Sequence, residues 1–542
     1  MSLFDRILAA RGISPESKAA FLLPDYSLFH DPFLLTDMDR AVKRLISAHK
    51  KQEHITIYGD YDIDGLTATA LLIDAFKSFG FKHVEYSIPN RFVEGYGLTI
   101  DAVEKIAADG SNLIVTVDCG SLSEKEIIRA NELGVDVIVT DHHNAAVIQP
   151  PAIAVINPKR TDSKYPFNDL AGVGVAFKLV QALQTELDGL PIGHEKWLLD
   201  LVALGTVCDI VTLVDENRMN VYWGLKVLSQ TRRPGLKALM AVAMVDPRIV
   251  NARSLGFSLG PRMNAAGRLE TAQHALDMLI ASDSMEALEK AQYLDELNLS
   301  RRFDQAKIVK EAIVQAEKYD KDMVLVVSGA DWNHGIVGIV ASKLLERYKK
   351  PVFVLQEMGD GSKGSARSYG DFSVADAIKA SQDIVTKGGG HKLAAGVTLP
   401  TENIDKFRKS VNEFYKSLNL IDQKLLLLPQ ADADADLNEI DETLVDLISG
   451  LEPFGNGNPE PIIKSENLKV VNVRKMGNDN QHVKLELKNP TGTKMQFVAF
   501  SAPEHFFVEI NTHITIWYHP TINVWHGNRS IEGRLLHLIV TE

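Results

Sequence analysis

Cysteine is almost missing: the 542 residues contain two, Cys119 and Cys208. A disulfide framework is therefore excluded, and a reducing cytoplasm is the expected setting. No apolar run approaches the roughly 20 residues that a membrane span needs, so no membrane association is expected. The N-terminal Met1-Ser2-Leu3-Phe4-Asp5-Arg6 lacks the basic start and apolar core of a secretory leader. Positive charge is also in short supply, since 58 Lys and Arg against 71 Asp and Glu leave a net charge of −13. That argues against a surface bathed in positive potential, but not against a basic groove within an acidic whole. No Gly-x-x-x-x-Gly-Lys-Ser/Thr occurs, which leaves ATP-driven motor chemistry without support. The length exceeds what one compact core holds, and three or four domains are expected.

What the chain does have is a set of acidic and imidazole residues at the ends of short apolar runs. The densest is Asp60-Tyr61-Asp62-Ile63-Asp64-Gly65, after His54-Ile55-Thr56-Ile57-Tyr58. Asp118 follows Leu113-Ile114-Val115-Thr116-Val117, and Asp141-His142-His143 follows the run 135–140. Asp209 ends the apolar stretch 197–208. Carboxylates this close cannot all ionise cheaply without cations to offset them, so a divalent-metal site is the first reading.

The order of runs supports that reading. Strands are expected near 54–58, 83–88, 112–117, 136–140 and 152–156, with helices near 65–79, 99–108 and 123–133. This alternation predicts βαβ units, a mostly parallel sheet, and ligands beyond the strands' carboxyl ends. A helical region follows at 171–245, and 285–320 reads as one long helix joining two lobes. Residues 323–400 form a second α/β unit, with strands at 323–327 and 351–355 around a helix at 335–348. Beyond about 425, alternating apolar and polar residues predict a small β-barrel.

Each motif has a plainer reading. The hexapeptide resembles the start of a calcium loop, but the twelfth position, where that loop needs a bidentate Glu, is Leu71. Asp432, Asp434 and Asp436 repeat the acidic spacing with no glycine or histidine partner, and are read as an exposed strand or loop edge. Asp141, just before the two histidines, is a candidate to orient an imidazole. Cys119 and Cys208 adjoin candidate ligands but are read as small packing residues. For phosphate, the candidates are Ser365 and Arg367 in the glycine-rich segment 361–368, and the turn containing Gly389, Gly390 and His391. Glycine admits close backbone N–H approach to an anion, and guanidinium binds one bidentately. Arg262, Asn264 and Arg268 either line the same cleft or cap a helix.

Taken in order, these motifs resemble the DHH phosphoesterase superfamily, and within it the exonucleases specific for single-stranded DNA. The likeness covers nearly the whole chain and includes Leu451-Glu452-Pro453-Phe454-Gly455-Asn456-Gly457-Asn458-Pro459-Glu460. It implies a parallel-sheet DHH domain joined by a long helix to a smaller α/β domain, then an oligonucleotide-binding (OB) barrel. The implied boundaries are a helical segment 1–45, the DHH domain 46–215, a helical connector 216–320, the DHH-associated domain 321–420 and the barrel 421–542. It also implies two Mn²⁺ or Mg²⁺ ions on Asp62, Asp64, Asp118, His142 and Asp209, with Asp118 bridging. Smaller members carry a histidine where Tyr58 stands, so Asp60 is expected to take that role. Asp64, Asp118, His142 and His143 would be catalytic, with His143 at the scissile phosphate. Ser365, Arg367 and Arg91 would anchor a 5′-phosphate. Trp517, Tyr518 and Trp525 would stack bases or fill the barrel. The implied activity is stepwise 5′-to-3′ hydrolysis of single-stranded DNA to 5′-mononucleotides in repair and recombination. A monomer working with single-strand-binding protein and a helicase is expected. The alternatives are a phosphodiesterase for short oligoribonucleotides or cyclic dinucleotides, and a non-catalytic DNA-binding scaffold.

Overall fold

The computed structural model describes residues 1–420, 428–525 and 528–541. Its first sheet has five parallel strands, β1 (Ile55–Gly59), β2 (Val84–Ser87), β3 (Leu113–Val117), β4 (Asp136–Thr140) and β5 (Ala154–Ile156). Their order is β2-β1-β3-β4-β5. Strands β1 and β3 are buried along their whole length. That is why these segments are continuously apolar rather than alternating: both sheet faces are covered. Helices Ile100–Ala108 and Glu124–Glu132 cover one face over Tyr58, Ile114 and Val137. Helices Ile63–Phe79 and Gly172–Gln184 cover the other over Ile57, Val115 and Ile138. Each expected strand of this sheet lies within two residues of its observed ends.

The core on that second face runs from Leu35 to Leu297 without a break. Residues 216–297, expected as part of a connector, therefore fill the interior of the first lobe through Leu236, Met263, Leu276 and Leu294. The helix Ser284–Lys318 then leaves that core and places Ile308, Ala312 and Ala316 in the next. At 1.5 Å per residue, its 35 residues form a strut roughly 50 Å long.

A second sheet contains β6 (Leu325–Gly329), β7 (Val352–Met358), β8 (Gly361–Arg367), β9 (Lys387–Gly390) and β10 (Ala394–Pro400), in the order β6-β7-β8-β10-β9. Here the sequence expectation is corrected. The segment 388–391, expected as a turn, lies mostly in the paired strand β9, and the segment 361–368 forms β8. Gly364 serves close packing, because a Cβ there would collide with the Val354 carbonyl oxygen.

The last unit contains β11 (Ala433–Asp434), β12 (Ile463–Met476), β13 (His482–Lys488), β14 (Lys494–Ala499), β15 (His513–Trp525) and β16 (Asn528–Val540). Strand β12 pairs with both β13 and β15, which closes the barrel around Val470, Leu485, Phe497 and Ile516. The expected domain start at 421 lies outside the described residues. Asp432 and Asp436 are used structurally, the first paired with Arg11 at 2.8 Å and the second capping the turn Leu437–Glu439.

The first helix, Leu3–Ala10, belongs to this last core, where Leu3, Phe4, Ile7 and Leu8 are buried. Truncating a fully buried branched side chain removes its transfer energy and leaves a cavity. Ile7→Ala should therefore destabilise the barrel by about 2–5 kcal/mol, read as an earlier denaturant midpoint for barrel fluorescence.

Candidate metal centre

In a sheet of order 2-1-3-4-5, the chain reverses its direction of travel between β1 and β3, which opens a crevice at their carboxyl ends. Asp60 and Asp62 leave β1 there, Asp118 leaves β3, and Asp141-His142-His143 leaves β4. Asp62 starts the helix Ile63–Phe79, its Oδ1 accepting from the amides of Asp64 at 2.8 Å and Gly65 at 3.2 Å. Gly65 lets that helix rest on the Asp60 backbone, since a Cβ would meet the Asp60 carbonyl oxygen at 2.5 Å.

Asp64 is buried and points at the start of the helix Gly172–Gln184. Its oxygens accept from Gly172 N at 2.5 Å and Val173 N at 2.8 Å, two of the amides a helix N-terminus leaves unpaired. Asp118 sits at φ 61°, a left-handed conformation that aspartate tolerates better than most residues. That turn carries its carboxylate into the crevice. Asp141 is the exception within the group. It accepts from the amides of Ser121, His142 and His143 and from His143 Nδ1 at 2.9 Å. Burial opposes its ionisation, but these donors, led by the His143 ring, hold its carboxyl below the usual range.

The remaining acids are shifted the other way. Burial, then Asp62, pushes Asp60 up to about 8. Burial, then neighbouring aspartates, raises Asp64 and Asp118 well above the ordinary carboxylate value. Asp209 is pushed up to about 6 by burial and Asp62. Burial, then His143, lowers the His142 imidazole to about 3, which keeps it neutral and able to ligate. Asp60 Oδ1, both Asp118 oxygens and both His142 nitrogens are buried without a hydrogen-bond partner. Buried polar atoms are rarely left so.

These unpaired atoms converge. His142 Nε2 lies 3.1 Å from Asp118 Oδ1, 3.6 Å from Asp209 Oδ2 and 3.7 Å from Asp64 Oδ2. The donor atoms of Asp60, Asp62 and Asp118 lie within 4.8 Å of one another, as do those of Asp64, His142 and Asp209. Asp118, His142 and His143 form a third such group. The donor set and its unanswered charge fit divalent cations. Tyr58 is turned to the opposite face of the sheet, its hydroxyl donating to the Gly97 carbonyl oxygen.

Arg91, Asn264 and Arg268 line a cavity of about 330 Å³ over Asp60, Asp62 and Asp209. Burial, then Arg91, Arg301 and Arg367, pushes Arg268 down to about 10. Arg91 and Arg268 thus face the cavity together, where an anion would relieve their repulsion. Ser365 and Arg367 adjoin the helix His334–Tyr348 at Gly338. Arg262 is engaged elsewhere, by the Ser258 carbonyl oxygen at 2.7 Å and Asp295 at 2.8 Å. Gly389 and Gly390 stand on the exposed edge strand β9, with His391 in the turn beyond it, and none of the three lines that cavity. Tyr518 is core, packed on Phe497, while Trp517 is half-buried near Lys464. The Trp525 side chain lies outside the described residues.

Two residues had no sequence signal. Tyr96 Oη lies 3.0 Å from His143 Nδ1, yet Tyr96 comes from a loop without a motif. Arg301 belongs to a charged helix that reads as a solvated face.

The comparisons agree with this geometry. A model of the DHH family N-terminal domain matches residues 54–206, a DHHA1 domain model 321–417 and a RecJ OB domain model 431–537. The chain is 38% identical over 542 residues to the single-stranded-DNA-specific exonuclease RecJ of Bacillus subtilis, covering 99% of this chain and 68% of that protein. The chain belongs to the RecJ family. The Escherichia coli RecJ is 34% identical over 557 residues, covering 98% of this chain and 94% of that protein. A crystal structure of RecJ in complex with Mn²⁺ from Thermus thermophilus matches with a TM-score of 0.82 and 28% identity, covering 99% of this chain and 78% of that one. No helix among the described residues is long and apolar enough to cross a membrane.

Two outcomes follow for this RecJ-type centre. Gly172→Ala would place a Cβ 2.7 Å from Asp118 Oδ1 and should weaken Mn²⁺-induced thermal stabilisation. The raised Asp60 means the metal-free fold binds more protons than the unfolded chain, so it loses stability as pH rises toward about 8. A bound cation removes that penalty. The Tm increase caused by Mn²⁺ should therefore grow from pH 6 to pH 8, with protons released on binding.

Proposed function

We propose that this chain is a two-metal exonuclease that hydrolyses single-stranded DNA from its 5′ end and releases 5′-mononucleotides. The observation that carries the reading is the continuity of the acidic cluster with a groove leading to the barrel. Cys208, Asn264 and Arg268 line both the small cavity and a second one of about 1100 Å³. The far wall of the larger one is strand β15 at Pro520, Ile522 and Val524. A dinucleotide substrate would need no such extension. The relatives named above are single-stranded-DNA-specific exonucleases, which points the same way.

Asp62, Asp64, Asp118, His142 and Asp209 would hold two Mn²⁺ or Mg²⁺ ions, with Asp60 completing the first set and Asp118 shared. Bound there, paired cations activate a water and offset charge on the departing oxygen. The Gly172 and Val173 amides hold Asp64 in one orientation. His143 is 43% exposed at its side chain and tethered through Nδ1 to Asp141, which leaves Nε2 for the scissile phosphate. Burial opposes protonation of its ring, but Asp141 outweighs burial and raises its affinity for a proton, so Nε2 is suited to donate to a phosphate oxygen. Arg91, Arg268 and Arg367, with Ser365, would anchor the terminal 5′-phosphate and set the polarity. Repair and recombination in the cytoplasm, as a monomer alongside single-strand-binding protein and a helicase, extend the reading from the resemblance.

Digestion of end-labelled oligonucleotides with Mn²⁺ tests this. Mononucleotides should appear from the 5′ end, and blunt duplexes should resist. Release from the 3′ end would overturn the polarity. Asp64→Ala should abolish turnover, and His143→Ala should lower kcat by about 10²–10⁴-fold with the fold intact by circular dichroism.

A further inference from the structure

Phe257 has no role in the core. It lies in a π-helical turn, Leu255–Leu259, between the short helix Ala252–Ser254 and the helix Gly260–Leu269. Leu255 and Leu259 at the ends of that turn are fully buried and satisfy the packing. Phe257 between them is 76% exposed. An extra residue in a helical turn pushes a side chain out of register, and such turns recur at functional sites. The Arg253 guanidinium stands 5.3 Å from the ring centroid, and Arg253 forms no ion pair among the described residues. Both line the 1100 Å³ groove, together with Arg268 and Arg301. An exposed aromatic ring among guanidiniums, in a groove continuous with the metal centre, is the composition that holds single strands by stacking and backbone contacts.

We infer that Phe257 is a substrate-stacking residue that holds a base of the strand on the 3′ side of the scissile phosphate. The inference rests on the exonuclease reading for its substrate. Seven residues separate Phe257 from Asn264, which lines the metal cavity. At 1.5 Å per residue that is roughly 10 Å, or about three nucleotides of a stacked strand. The platform therefore engages long strands and lies beyond the reach of a dinucleotide.

The test compares the unmodified protein with Phe257→Ala and Phe257→Trp, using Mn²⁺ and 5′-phosphorylated substrates. Loss of one stacked base should raise KM for a long oligonucleotide by roughly 5- to 150-fold. The kcat on that substrate and turnover of a dinucleotide should not change, and Phe257→Trp should retain the normal KM. A loss in Phe257→Ala that is equal on the dinucleotide, or an unchanged KM on the long strand, overturns the inference. A 2-aminopurine base at the third nucleotide, with His143→Ala as background to slow cleavage, reads stacking separately. Its fluorescence should be quenched with Phe257 present and recover in Phe257→Ala. Absence of turnover by the unmodified protein would overturn the exonuclease reading, while equal quenching with and without Phe257 would overturn the stacking role alone.

Discussion

The arrangement depends on one unfavourable constraint: Asp60, Asp64 and Asp118 are buried together at the carboxyl edge of a parallel sheet. Water cannot screen charges there, and among the described residues no lysine or arginine forms an ion pair with any of the three. Two devices reduce the cost. The amides at the start of the helix Gly172–Gln184 meet Asp64, and the remaining acids are left to hold protons or cations. A site built in this way is unstable when fully ionised and empty. That instability is the source of its affinity for divalent metal.

The rest of the chain holds this cluster in place beside a groove that reaches the barrel. The segment after the last candidate ligand, Asp209, is tied to the barrel side, with Leu213 N donating to the Asn456 carbonyl oxygen at 2.7 Å and Asn456 Nδ2 donating to Ile210 O at 2.9 Å. Buried Arg218 reaches the carbonyl oxygens of Leu451 and Glu452 from the first lobe. The N-terminal helix enters the barrel core, although more than 400 residues separate them, as in the 428-residue separation of the Arg6 contact with Asp434. These ties make the groove a feature of the whole fold.

Much of this was legible beforehand. The apolar runs ending in Asp60, Asp118 and Asp141 identified the sheet edge, because a parallel strand buried on both faces has to be continuously apolar. The acidic copy at Asp432 to Asp436 was read as an exposed strand or loop edge from its missing partners; it does lie at a short strand, but Asp432 is held by Arg11 and its side chain is only 15% exposed. The turn expected at 388–391 proved to be mostly an edge strand, since glycine serves strand pairing as readily as a turn. Arg262 looked equivalent to Arg268 on one helix, yet Asp295 draws it to the long helix instead. Which of two arginines faces a cleft depends on neighbours distant in the chain.

The sequence alone determined the fold class, the inventory of candidate ligands and the barrel at the end, because periodicity and local motifs are properties of adjacent residues. Only the tertiary structure decided that Asp64 is held by a helix more than 100 residues later, that Arg91 and Arg268 share the cavity over the acids, and that Phe257 stands in the groove. Those depend on distances between segments that meet only after folding, and no local pattern encodes them.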